Sequence, residues 1–454
     1  MGSIGEWLRR RPWGQVDRTA AARSLGRATI VAAVLLAAGR LLLDAIPAMV
    51  AGSATRPWDG IIDWGGAREM LAGRDPYSPE SLAAIGLSPE RGLGHPPTTL
   101  IWFYPLAGLD LEMMKHVATG LTLVMLLFHV GIVAAELELP AWPLVALLIS
   151  SAVYGTDWFL LHLSLVDLSE LIALLYVLCW YFLRRGRDGP AGVMVGLACT
   201  LKLYPGLMVL FLGAARRWRA VIAAALTYAV FGVEVLRRLG PAGFRHFLEQ
   251  TGGYTDGWIA DIRNASLTGI VHRLFFPLWG WERRALTAAS VIAAAVSLAL
   301  LALAWLVSAR RIRAARSEPA AIDLPFALFS VLSMAPGPYQ WEHYNVTLIL
   351  PFLMLASEML RAERTGPRWW IRPAALAAVL AAVALLLDVD FARRVQVGAS
   401  ARSARVSMGT VLFYEISAWL PWVMLSVTLA LVMYLDDRRA RTRARANTLV
   451  PAPG

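Results

Sequence analysis

The chain of 454 residues is 57% hydrophobic and only 17% charged, with a mean hydropathy of +0.55, far more apolar side chain than a soluble core of this length can absorb. Its formal net charge of +11 would suit a nucleic-acid partner in a soluble protein, but the arginines stand in short clusters between apolar runs, as membrane topology requires. These features exclude a soluble domain and a nucleic-acid binder, and predict an all-α integral membrane protein.

Residues 1–27 form a basic N-terminus carrying Arg9, Arg10, Arg11, Arg18, Arg23 and Arg27. The apolar run from Ala28 to Val50 that follows is long enough to span and has no small-residue cleavage site, so it reads as an uncleaved first span with the N-terminus in the cytoplasm. Further spans are predicted near 112–136, 141–156, 164–183, 219–237, 284–308, 320–337, 344–360, 373–390 and 412–434. With a short hairpin between the arginine clusters at 184–187 and 216–219, about 10–12 crossings result at roughly 20 residues each. All six basic clusters then face the cytoplasm, as do both termini. Residues 28–435 read as one polytopic membrane domain and 436–454 as a basic cytoplasmic tail. Cys179 and Cys199 both lie in apolar segments and read as small buried hydrophobes.

The first external loop, from Ala51 to His95, contains "RPWDGIIDWGGAREMLAGRDPY". A helix is expected from about Gly60 to Ala72, with Asp59 as N-cap and Gly73 as the stop. Asp59 and Asp63, spaced i, i+4, share one face of that helix. Asp59 has two readings: a cap that accepts backbone N–H bonds, or a general base taking a proton from an acceptor hydroxyl at the rim of a membrane cavity.

Lys202 is one of two lysines in an arginine-rich chain. It sits beside Tyr204 and Pro205, where the short hairpin "GPAGVMVGLACTLKLYPGLMVLFLGAA" is expected to break at 203–205. A compact ammonium at a broken intramembrane helix suits a lipid phosphate. Farther along, "DIRNASLTGIVHRLF" offers Arg263 and Asn264 as contacts to sugar or phosphate. "PGPYQWEHYNVTLILP" puts Trp341, Glu342 and His343 at the external mouth of a span, where the imidazole can donate to a phosphate or orient an acceptor. The sequence has no phosphate-cradling glycine loop and no nucleotide-binding domain, so no cofactor is expected; Asp59 and Asp63 could share a divalent ion through their oxygens, but no tight His/Cys/Asp cluster accompanies them. A lipid-linked donor is the corollary.

Read together, Asp59 with the helix ending in "MLAGRDPY", then "HPPTTLIWFYPLA", "GLACTLKLYPGLMVLFLGAARRWRA", "NASLTGIVHRL" and "PYQWEHYNVTLILP" resemble glycosyltransferase family 87. These are membrane transferases of the GT-C superfamily that use polyprenyl-phosphate sugars. The motifs occur in the family's order over about positions 59 to 351. The resemblance implies a GT-C type polytopic helical bundle whose external first loop contains short helices. It also implies an inverting transfer of a hexose, mannose first, from a polyprenyl-phosphate donor to a glycolipid or polysaccharide hydroxyl. That reaction would face outward from a bacterial inner membrane. Asp59 would then be the general base. Lys202, His343 and Arg263 would bind the donor phosphate, and Asp63, His95, Tyr204, Asn264, Trp341 and Glu342 would bind substrate. Two positions depart from the family pattern: Asp63 stands where an aromatic residue is usual, and His95 replaces the usual tyrosine before the double proline. Another polyprenyl-phosphate sugar such as arabinofuranose is the alternative donor. A transporter is the alternative class, suggested by the intramembrane charges Arg40, Asp167, Glu170 and Glu234.

Overall fold

A computed structural model describes residues 58–87, 93–139, 142–154, 157–259, 264, 266–272, 283–315, 317–335, 337, 340–364, 422–423 and 425–438. The predicted first span, the 373–390 span, the 388–410 loop and most of the C-terminal tail lie outside them. Every regular element among the described residues is helical, as an apolar chain must be if its backbone polar groups are to be satisfied within lipid. The protein is an all-α membrane protein.

The described chain opens with α1 (Trp58–Leu71) and a short α2 (Pro79–Ala84). α1 closes as the sequence predicts. Gly73 takes φ +74°; its N–H donates to the Met70 carbonyl at 3.2 Å, and the Arg74 N–H donates to Glu69 at 2.9 Å, the reciprocal pair of a Schellman stop. The start differs from expectation: α1 begins at Trp58, so Asp59 lies inside the first turn rather than at the cap. α3 (Pro97–Leu100) runs into a 3-10 turn over Ile101–Leu106.

Among the described residues three helices are long and apolar enough to cross a bilayer: Leu111–Glu136, Trp218–Thr251 and Ser290–Ala314. They belong to α4 (Leu111–Glu136), α10 (Trp218–Trp258) and α11 (Arg283–Ala314). Between α4 and α10 run α5 (Trp142–Tyr154), α6 (Asp157–Leu165), α7 (Ser169–Arg184), α8 (Asp188–Leu201) and α9 (Leu207–Ala214). After α11 come α12 (Asp323–Leu332), a 3-10 turn over Glu342–Leu348, α13 (Ile349–Arg364) and a helix over 425–438. Arg310 and Arg311 of α11 pair with Asp437 at 3.0 Å and Asp436 at 2.5 Å, which ties that last helix to the bundle.

Two stretches outside the predicted spans are helical. The link between the spans predicted at 141–156 and 164–183 forms α6, and α10 continues past the predicted end of its span to Trp258. The second change turns on one dipeptide: Gly240 adopts φ +62°, and Pro241 restarts a helix because its missing N–H costs nothing in a first turn. The hairpin breaks close to where proline predicts. α8 ends at Leu201, Lys202 is extended (φ −147°, ψ 154°), and Tyr204–Gly206 form a 3-10 turn before α9.

α8 packs along α10 at backbone contact. A Cβ on Gly192 would collide with the Ala220 carbonyl, and one on Gly196 would lie 2.6 Å from Ala224 O and Thr227 Cβ. Small residues let intramembrane helices approach this closely. α7 covers the other side of α8, burying Trp180, Tyr176 and both free cysteines, Cys179 and Cys199.

Candidate active site

α1 reaches the helical bundle because of a glycine. A Cβ on Gly60 would stand 2.6 Å from Val166 Cβ, so α1 docks directly on the link between α6 and α7. That link is strained: Val166 is a β-branched residue at φ +57°, a conformation that costs on the order of 1–3 kcal/mol and clusters at functional sites. The strain turns the chain so that Asp167 faces inward.

Asp167 is the hub. Its side chain is 1% exposed. Oδ1 accepts the Ser169 N–H at 2.7 Å and lies 3.4 Å from His162 Nδ1. Oδ2 accepts from Lys202 Nζ at 2.7 Å and lies 3.7 Å from His343 Nε2. The same His343 Nε2 is 4.0 Å from Oδ2 of Asp59. Asp59, Lys202 and His343, far apart in sequence, therefore meet around one buried carboxylate.

Each partner is held by its own local chemistry. Lys202 follows the C-terminus of α8, whose last carbonyls lack helical partners. Thr98 Oγ1 donates to the Thr200 carbonyl at 2.8 Å, Thr99 Oγ1 donates to the Leu201 carbonyl at 2.7 Å, and Trp102 Nε1 donates to Thr200 Oγ1 at 2.9 Å. The "HPPTTLIW" stretch is thus the cap that fixes where Lys202 begins. The ammonium also lies 3.7 Å above the Tyr344 ring, a cation–π contact, and 3.4 Å from Ser169 Oγ. Tyr204 stacks on the other side of this group, 6.0 Å from the Tyr344 ring centre.

His343 hangs from the 3-10 turn, which Asn264 secures. The Asn264 Oδ1 accepts from the Ser266 N–H at 3.0 Å and from the Gln340 N–H at 2.9 Å. Asn264 is fully buried, so in this structure it works as a clip between two segments distant in sequence. Trp341 is partly buried at the start of the same turn. Arg263 and the Glu342 side chain lie outside the described residues. Nε2 of His343 is buried without a hydrogen-bond partner, 4% of the residue being exposed.

Asp63, one turn after Asp59 on the same face of α1, has a partner of its own: its Oδ1 accepts from His95 Nδ1 at 2.8 Å. The two departures from the family pattern are therefore partners of one another.

The electrostatics outside the spans follow from these contacts. Burial pushes the Asp59 carboxyl up to about 6; His95 and Lys202 pull against that, while Asp167 and Asp63 add to it. Burial works against the His95 cation, but the charge and hydrogen bond of Asp63 outweigh it and the imidazole titrates above its ordinary value. Arg74, bonded to Glu69 at 2.6 Å, holds that carboxyl below its usual range. Asp59 with a side chain 24% exposed is thus a partly open carboxylate suited to taking a proton near neutral pH.

Asp59, Asp167 and His343 each bring one ligand atom within 4.8 Å of the others, a spacing compatible with a cation among the described residues. Lys202 already neutralises Asp167 at 2.7 Å, so an ion there would share that carboxylate with an ammonium.

The sequence reading missed Asp167 as the centre of the site, along with His162, Ser169 and Tyr344. A signal existed: an aspartate in an apolar run is costly unless something uses it.

A model of glycosyltransferase family 87 matches residues 94–336, a stretch that includes Asp167 and Lys202. The chain is 27% identical over 308 residues, 64% of its own length and 68% of the relative's, to the polyprenol-phosphate-mannose-dependent alpha-(1-2)-phosphatidylinositol mannoside mannosyltransferase of Mycobacterium tuberculosis. No solved structure matches the chain.

Proposed function

Because the chain belongs to glycosyltransferase family 87, we propose that it transfers mannose from a polyprenyl-phosphate donor to a hydroxyl of a glycolipid acceptor, at the outer face of the bacterial inner membrane. The observation that carries this reading is the meeting of Asp59, Asp167 and His343 within 4.8 Å, with Lys202 bonded to Asp167. A carboxylate near pKa 6, an ammonium and an imidazole brought together are groups that a displacement at an anomeric carbon can use.

In the proposed reaction Asp59 accepts the acceptor's hydroxyl proton as its oxygen attacks the anomeric carbon with inversion. The bond from that carbon to the phosphate oxygen breaks, and its electron pair leaves with the polyprenyl phosphate. Lys202 supplies positive charge to the departing phosphate, and Asp167 fixes the ammonium in place so that little reorganisation is needed when that charge develops. His343 Nε2, lacking a hydrogen-bond partner, donates to the phosphate in its N–H form. Tyr204 and Tyr344 wall the donor side.

The identity of the relative supports mannose and a mannosylated lipid over arabinofuranose. The test uses purified protein in lipid nanodiscs with radiolabelled polyprenyl-phosphate mannose and a mannosylated phosphatidylinositol acceptor. Labelled glycolipid is the expected product. Release of labelled polyprenyl-phosphate mannose to the opposite leaflet of a vesicle, with no covalent product, would reverse the assignment in favour of a transporter.

A further inference from the structure

Asp63 and His95 stand beside the proposed base yet take no part in the proton transfer or in holding phosphate. The Asp63 side chain is 2% exposed and that of His95 14%. Their 2.8 Å bond joins a buried carboxylate to the His95 Nδ1, and since an ionised carboxylate only accepts, Nδ1 carries the proton. The backbone of His95 is held as well: the Tyr77 hydroxyl, on a side chain packed at 5.5 Å against Phe247, donates to the His95 carbonyl at 2.9 Å. Pro96 and Pro97 follow at once and fix the outgoing backbone.

That leaves Nε2, the nitrogen on the far side of the ring from Asp63, which makes no hydrogen bond among the described residues on a side chain that is 14% exposed. Asp59, 24% exposed, lies one helical turn before Asp63 on the same face of α1, and the charge of His95 lowers its proton affinity. An unbonded imidazole nitrogen and a partly exposed carboxylate thus belong to the one face of α1 that carries Asp59 and Asp63.

We propose that Asp63 and His95 form an acceptor-recognition dyad: Asp63 orients the ring, and His95 Nε2 hydrogen-bonds a second hydroxyl of the acceptor while Asp59 engages the reacting one. The inference rests on the glycosyl-transfer reading and narrows the substrate class. The acceptor is a polyol, a sugar or cyclitol head with a hydroxyl beyond the one that reacts, and a monohydric lipid alcohol is a poor substrate. His95 touches substrate; Asp63 is a positioning residue that acts through it. A buried group built to bond a hydroxyl discriminates strongly against an analogue that lacks it, because the group is left unpaired.

The experiment compares full-length enzyme with His95→Phe, Asp63→Asn and Asp63→Glu, using n-octyl α-D-mannopyranoside and its monodeoxy analogues as acceptors. For wild type, deletion of one particular non-reacting hydroxyl is expected to lower kcat/KM by about 100-fold or more. In His95→Phe the intact probe falls toward the deoxy rate, mainly through KM, so that the discrimination disappears. Asp63→Asn behaves likewise, and Asp63→Glu restores part of it. Nitrogen-15 NMR of histidine-labelled protein is expected to show a ring protonated at Nδ1 whose Nε2 resonance moves on adding octyl mannoside, an assignment lost in His95→Phe. Equal discrimination in His95→Phe and wild type, or no histidine resonance moved by the probe, overturns the proposal. An Asp59→Asn enzyme with full turnover would instead overturn the general-base reading, a separate outcome.

Discussion

Lys202 Nζ lies 2.7 Å from Oδ2 of Asp167, two residues 35 positions apart that the chain brings together at the break of one helix and the strained start of another. A buried pair of this kind gives little net stability, since desolvation of both charges offsets their attraction, but removing one partner strands the other.

Lys202→Met is therefore expected to destabilise the protein by about 3–5 kcal/mol, seen as a fall in the thermal midpoint in detergent. Lys202→Met with Asp167→Leu should recover much of that stability and still show no transfer. Recovery of activity in the double variant would remove both residues from the mechanism.

Asp59→Asn keeps the size and shape of the side chain and removes its basicity. Its kcat should drop by roughly 10²–10⁴-fold, the usual worth of a general base, with donor affinity little changed. In wild type the base works only when ionised. With the Asp59 carboxyl raised to about 6, kcat/KM should rise with pH through about 6 and level off above it. A profile flat from pH 5 to 8 would exclude Asp59 as the titrating group.

Gly60 sets how closely α1 approaches the link that carries Asp167. Gly60→Val places new atoms against Val166 Cβ, where even the first carbon would stand at 2.6 Å, and the helix must lift. The expected result is a loss of kcat at least tenfold with a smaller loss of stability, about 1–3 kcal/mol for overpacking, measured by turnover and thermal unfolding on the same preparation.

Asn264→Ala removes the acceptor for two backbone N–H groups, those of Ser266 and Gln340. A loss of about 1–3 kcal/mol is expected from the unsatisfied buried donors. Because Gln340 leads directly into the turn bearing His343, activity should fall with it. Asn264→Asp, which keeps the accepting oxygen, should retain more of both. An Asn264→Ala enzyme as stable as wild type would show that the clip is unimportant.

Much of the architecture could be read without coordinates. The Schellman stop at Gly73 and the hairpin break beside Pro205 are both local, each fixed by residues within one helical turn. The break at Gly240 was also local, but the continuation of helix beyond Pro241 was hidden because a proline marks a helix end and a helix start equally well. The helical 157–165 segment was hidden by its length, too short to count as a span on its own.

The sequence by itself determined an all-helical membrane protein and pointed to three residues of the candidate site: Lys202 because a charge in apolar surroundings is costly, and Asp59 and His343 because the stretches around them resemble family 87. Only the tertiary structure decided that Asp167 is their common partner, that Asp63 belongs to His95 rather than to Asp59, and that Asn264 is a clip. Each of these depends on which side chains converge across different helices. That convergence is set by helix approach distances, at Gly60 on Val166 and Gly192 on Ala220, which no local pattern encodes.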